Sequence, residues 1–577
     1  MMPDPSRYMS ALRLAGLVFL AAGVVACAAT RPAAAPAAAP LPTATDTAGK
    51  GESELLMAAE LALRDGNCRA ATDNYVAAAL VSAEVQLAQR ASELALGCDQ
   101  LGAARTAVAR WRELDKYSGD AALAAALVAF KRYDLAGART ALIAWRDSGV
   151  GGSQDPLSFA GLLEQQGDVT AVYRVFGEVL VNEDSTAEVL LALARLALAA
   201  QNMEAAKVAA QRALATDAGM LEAQAIVLRA LSVQGEHNAA IAGARLLPAS
   251  QLQGEGAFLL ADLLTAAERT QDAQVELQRL GAQAETRQGA ARRLIAMAIT
   301  EGNLDGAERL LGPLLGERES TTMAVFYIAQ LAERRGDDAR AMQAYRALAD
   351  SSMGMVARTS AARLMLKHGE RQSALAVLDE YVQENPDVAV EVGATRAHLL
   401  AEAGDVDAAL QGLDALVAQY PEHPDLEYQR ATVLETGGRT RAAVAQFEKA
   451  LKQRPDDPQL QNALGFTLAD HKQQLGRAEQ LVRAALAVSP DNPAIQDSLG
   501  WVLYQRGQAA AAVPVLARAW QNSGDGEIAS HYGEVLWRTG DQAQARYVWQ
   551  QALNSYPAHD RLLATMKRLT GEDAAVP

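Results

Sequence analysis

Apolar positions in this chain recur at three- and four-residue spacing, and each apolar run stops at a short polar turn. That spacing puts the apolar side chains on one face of a helix, so each turn joins two amphipathic helices. Nine turns pair a glycine with a polar residue: Gly66-Asn67, Gly167-Asp168, Gly235-Glu236, Gly302-Asn303, Gly336-Asp337, Gly369-Glu370, Gly404-Asp405, Gly507-Gln508 and Gly540-Asp541. Weaker turns near Gly97, Arg132, Gln201, Arg269, Gly438 and Gln473 fill the gaps, giving fifteen turns at intervals of 31 to 35 residues. No strand-like alternation is sustained anywhere. A hairpin of this size buries its apolar face only by stacking on its neighbours, so the pattern predicts an all-α solenoid.

The clearest hairpins lie in the C-terminal half. After Gly438 come Ala443, Phe447, Ala450 and Pro455; after Gly540 come Ala545, Trp549, Ala552 and Pro557, at the same offsets. After Gly369 come Ala374, Leu378, Tyr381 and Pro386, and after Gly404 come Ala409, Leu413, Leu416 and Pro421. Small alanines let two helices approach, large residues fill the gap beside them, and proline punctuates the hairpin. Leu464-Gly465 and Leu499-Gly500 mark the matching first helices. This pattern and its period of about 34 resemble tetratricopeptide repeats, which implies a right-handed superhelical solenoid of about fifteen hairpins. Residues 351–569 read as regular repeats and 52–350 as degenerate ones, with "SGVGG" near 150 as an irregular loop and 570–577 as a tail.

The N-terminus is a targeting segment. Arg7 and Arg13 precede an apolar run that ends in Val24-Val25-Ala26-Cys27. This resembles a bacterial lipobox, which implies a signal peptide over 1–26 and lipidation of Cys27. The alternative is an ordinary signal peptide with an accidental cysteine. The Pro/Ala-rich stretch over 27–51 reads as a disordered tether. Ala28 rather than Asp follows the cysteine, which for Gram-negative lipoproteins implies the periplasmic face of the outer membrane.

The net charge of −16 argues against nucleic acid as a partner. Cys68 and Cys98 fall just after equivalent turns of adjacent hairpins, so they are a candidate disulfide, the alternative being two thiols that never meet. No zincin, Cys-x-x-Cys or Gly-x-Ser-x-Gly motif occurs, and Asp337-Asp338 and Asp456-Asp457 read as caps and loop formers. The sequence thus predicts a non-enzyme with no catalytic residue, no metal site and no cofactor.

Tetratricopeptide arrays bind along the concave face that first helices line. The offsets from Gly465, Gly500 and Gly533 put Phe466, Trp501, Tyr504, Glu534 and Trp537 on that face as candidate partner-binding residues. Aromatics are enriched in binding hot spots, although the same rings could simply fill a narrow interior. Trp520 and Trp549 fall on second helices and read as core.

The segments "DSLGWVLY" (497–504) and "EIASHYGEVLW" (527–537) are more particular. They resemble a group of proteobacterial tetratricopeptide lipoproteins that bind the carboxy-terminal processing protease, with Tyr532 where leucine is more usual. The resemblance implies an adaptor that holds a periplasmic serine protease at the outer membrane and brings it peptidoglycan hydrolases as substrates. A second reading is a lipoprotein for assembly of a pilus, secretion or exopolysaccharide-export complex.

Overall fold

The computed structural model describes residues 51–148, 156–166, 168–248, 251–252, 254–314, 318–385, 388–556 and 559–571. Cys27, the segments read as signal peptide and tether, the "GVGG" stretch, Gly167, Pro386, Pro557 and most of the tail lie outside these residues. Among the described residues there are 31 α-helices and no strand. They pair as antiparallel hairpins in chain order, the array running from Glu52–Arg64 to a last helix, Asp560–Thr570. Two short 3-10 segments, Gly254–Phe258 and Gly312–Leu314, adjoin shortened helices in the middle of the array.

The Gly-polar turns have one mechanism. The glycine adopts a positive φ, as at Gly66 (70°), Gly302 (74°), Gly336 (71°), Gly404 (86°) and Gly540 (99°). Where the residue after it is Asn or Asp, its side chain caps the second helix, whereas Glu236, Glu370 and Gln508 make no side-chain cap bond. Asn67, Asn303, Asp337, Asp405 and Asp541 each accept a hydrogen bond from the backbone N–H three residues on. First helices in the C-terminal half start differently. Asp457 and Asn492 cap helices that open on Pro458 and Pro493, where a missing N–H costs nothing.

Several of the weaker turns sit elsewhere than expected. Gly97 still belongs to its helix, and the left-handed residue is Asp99 (φ 53°). Tyr133 (55°), Glu268 (58°) and Lys472 (54°) each stand one residue from the expected position, while Gln201 (56°) and Gly438 (69°) take the positive φ where expected. With Asp99 in place, the shortest interval, Gly66 to Gly97, becomes 99 − 66 = 33 residues, so the period is tighter than the glycines suggest.

Hairpins close on small residues. A Cβ on Gly465 would fall 2.6 Å from Val482 Cγ2, and one on Gly500 would fall 2.4 Å from the Leu516 side chain. Gly533 is tighter still, with the Trp549 indole only 1.9 Å from where its Cβ would stand. The largest continuous core lies in this C-terminal part, with Phe447, Leu464, Val482, Leu516 and Trp549 fully buried. At the other end a disulfide joins Cys68 to Cys98, with Cα atoms 5.8 Å apart, linking the first two hairpins along one edge.

The array curls until its later repeats touch its earlier ones. Glu422 meets Arg132 at 2.9 Å, and His423 Nε2 meets Asp99 at 3.1 Å. The hydroxyl of Tyr133 donates to the Asp456 carbonyl at 3.3 Å, beneath the Arg454 guanidinium. Met203 N–H donates to Asp491 at 2.8 Å, and Asp491 N–H returns to the Gln201 carbonyl at 3.0 Å. Arg334 donates to the Ser555 carbonyl at 3.3 Å. These bonds join hairpin turns of early repeats to inter-repeat loops of late ones, forming a polar seam. Asp99, Tyr133 and Gln201 all lie on it. Three of the four left-handed turns that lack glycine in the first half therefore carry residues that the seam uses, which offsets a conformation costing roughly 1 kcal/mol without glycine; Glu268 is the exception.

Candidate partner-binding surface

Phe466, Trp501, Glu534 and their neighbours stand on the first helices Pro458–Asp470, Pro493–Gln505 and Gly526–Thr539. The Trp501 ring stacks on His531 with centroids 4.2 Å apart, and Phe466 and Tyr504 flank that pair at 5.8 Å and 5.3 Å. Phe466, Trp501 and Tyr504 thus form one cluster around an imidazole that the sequence reading passed over. Trp537 does not join them. It stacks on Trp549 at 5.6 Å, beneath the Arg546 guanidinium, against the second helix of its own hairpin.

The expectation that these rings face solvent fails for Trp501, which is 5 % exposed, and for Glu534, at 8 %. Phe466, Tyr504 and Trp537 are half-buried. Trp501 lies against the His531 ring and Asp470, while Glu534 is covered by helix Asp560–Thr570, which packs on Gly526–Thr539. Its Arg568 pairs with Glu534 at 2.6 Å. Its Arg561 pairs with Glu527 at 2.9 Å, reaches Asp470 at 3.1 Å, and lies 5.9 Å from the Phe466 ring centre.

Carboxylates surround the rings. Trp501 Nε1 donates to Asp470 at 3.0 Å, and Asp497 meets His531 Nδ1 at 2.8 Å. His531 Nε2 has no hydrogen-bond partner among the described residues. Burial pushes the Glu435 carboxyl above its usual range, and Thr467 donates to it at 2.7 Å. Five acids against two guanidinium groups make the surroundings of the rings acidic, with Asp497, Glu527 and Glu534 buried. The acids and arginines could have been found by register. Glu527 and Arg561 are 34 residues apart, as are Glu534 and Arg568, so opposite charges one repeat apart face each other on successive first helices. Among the described residues, no group of three or more His, Cys, Asp or Glu side chains is placed to hold a metal ion.

An array of stacked helix hairpins is the architecture of a protein-interaction solenoid. The tetratricopeptide-repeat model matches residues 298–355, 394–458, 428–493 and 466–527, so the chain carries tetratricopeptide repeats over those segments. A TPR repeat-containing protein of Pseudomonas aeruginosa, PA4667, is 29 % identical over 254 residues, which is 43 % of this chain and 42 % of that protein. The chain thus matches less than half the length of that relative. Among solved structures, a tetratricopeptide repeat protein from Parabacteroides merdae aligns at 14 % identity with a TM-score of 0.32, covering 44 % of this chain and 99 % of that one. The APC/C hetero-tetramer Cut9–Hcn1 aligns at 15 % identity with a TM-score of 0.29, covering 90 % and 96 %.

Proposed function

We propose that this chain is a non-enzymatic scaffold, anchored through Cys27 at the periplasmic face of the outer membrane. In this reading it binds a periplasmic carboxy-terminal processing protease and presents substrates such as peptidoglycan hydrolases to it. The observation that carries the reading is the cluster of Phe466, Trp501, Tyr504 and His531 with its acidic surround. Trp501, Tyr504 and His531 come from the two segments that resemble the protease-binding lipoproteins, and Phe466 joins them from the first helix before those segments. Tethering raises the effective concentration of one bound partner at the other without new chemistry. The anchor and the Pro/Ala tether would hold that encounter beside the membrane.

The test is capture from an envelope extract on the immobilised mature chain, with bound proteins identified by mass spectrometry. The adaptor reading expects a serine processing protease together with a cell-wall hydrolase. Capture of a secretin, pilus or polysaccharide-export component instead would replace it with the assembly reading. For the anchor, Cys27→Ala should release the protein from the outer-membrane fraction; unchanged fractionation would remove that part.

A further inference from the structure

A cavity of about 300 Å³ opens where the seam parts, between the turns of two middle hairpins and the last hairpins of the array. Trp520 and the exposed Tyr547 contribute aromatic surface, and Gln544 and Gln551 contribute side-chain amides. Tyr532 lines the cavity too. It is 7 % exposed, and its hydroxyl has no hydrogen-bond partner among the described residues. Burial, and secondly the Asp541 carboxylate, raise its phenol, so it stays a neutral O–H. From the opposite wall comes Glu268, a left-handed residue without glycine. Asp99, Tyr133 and Gln201, its counterparts in neighbouring turns, spend that conformation on seam contacts. The Glu268 carboxylate has no protein partner among the described residues.

We propose that this cavity is a binding site for a neutral carbohydrate, a site separate from the protein-binding surface. Unpartnered amides and a phenol can each donate or accept, which matches sugar hydroxyls. Aromatic rings accept the C–H face of a pyranose by contact, and a carboxylate accepts from two vicinal hydroxyls at once. The volume is at the small end of ligand pockets, enough for a sugar ring or two. An extended peptide would call for a long groove or a strand edge, and a carboxylated sugar would meet the Glu268 charge. Because the two walls come from different parts of the array, a bound sugar would also brace the seam.

The experiment is calorimetric titration of the mature protein with cellotriose, chitotriose and maltotriose, with tri-galacturonate and a neutral heptapeptide as comparators. At least one neutral saccharide should bind. Glu268→Ala and Gln551→Ala, both at partly or fully exposed positions, should each weaken it by roughly tenfold at unchanged melting temperature. Absence of binding by all three neutral saccharides at millimolar concentration would overturn the proposal. So would equal binding of tri-galacturonate, binding of the peptide alone, or saccharide binding that neither variant changes. Since none of these results involves protease capture, failure here leaves the adaptor reading untouched.

Discussion

Arg561 tests whether the last helix is held by its charge contacts. Its side chain is 13 % exposed, that of Glu527 9 % and that of Asp470 28 %, so all three charges are largely removed from water. Replacing it by alanine strands two carboxylates and uncovers the edge of Phe466. Removing one member of a buried pair costs about 3–5 kcal/mol; Asp470 can regain some water, so about 2–3 kcal/mol is expected. In a repeat array that loss is local, because each hairpin is stabilised chiefly by its neighbours. The readout is therefore amide hydrogen exchange over 560–570, where about 2 kcal/mol corresponds to roughly thirtyfold faster exchange. Exchange at the other end, over 52–130, should not change. A cycle with Asp470→Ala should recover about 1 kcal/mol of coupling. Arg561→Ala exchange within twofold of wild type would show that the helix docks by apolar contact alone and that the ion pairs contribute nothing measurable.

Other outcomes follow from single sites. Replacing Cys68 and Cys98 together by alanine should destabilise the first two hairpins by about 3–4 kcal/mol, seen as early proteolysis within 52–115 that dithiothreitol reproduces in the wild type. Lys472, exposed with φ 54°, should gain up to about 1 kcal/mol on Lys472→Gly, read from urea unfolding of the C-terminal repeats. Burial, against the Ala171 N–H and with help from Asp457 and Asp425, pushes the Asp168 carboxyl up from 3.8 to about 6. Its contribution to stability is therefore full below about pH 4 and is lost as pH rises through 6. Asp168→Asn keeps the cap and should be the more stable form at pH 7–8, by up to about 3 kcal/mol, with the difference gone below pH 4. A stability difference that grows on acidification would contradict that sign. Glu422→Ala combined with Asp491→Ala should loosen the seam and raise the radius of gyration measured by small-angle scattering.

The helices and hairpins were legible because a stacked repeat leaves its period in the sequence. Gly302, Gly336 and Gly540 mark turns since only glycine takes their positive φ cheaply, and Gly465 and Gly500 mark close helix pairs. The turns at Asp99 and Tyr133 were misplaced because there the side chain is used for a contact more than 320 residues away, and local pattern carries no trace of it. The same holds for the inner surface. The offset from glycine correctly grouped Phe466, Trp501 and Tyr504, but could not show that Trp537 turns to Trp549, nor that the last helix covers Glu534. Those facts depend on how one repeat is seated on the next. His531 stands inside the segment 527–537 that carries the family resemblance, but its role was not legible there because its partner Asp497 stands one repeat earlier.

The inner cluster is the core of the functional account, and its half-buried members can be removed without emptying the hydrophobic core. The decisive measurement is binding of the purified processing protease to the mature chain by surface plasmon resonance, wild type against Phe466→Ala with Tyr504→Ala. Loss of about 2 kcal/mol or more per hot-spot ring predicts at least thirtyfold weaker binding, with the melting temperature held within a few degrees and Trp537→Ala far less affected. Protease affinity unchanged by the double variant, at intact stability, would contradict the account and move the binding surface elsewhere on the array.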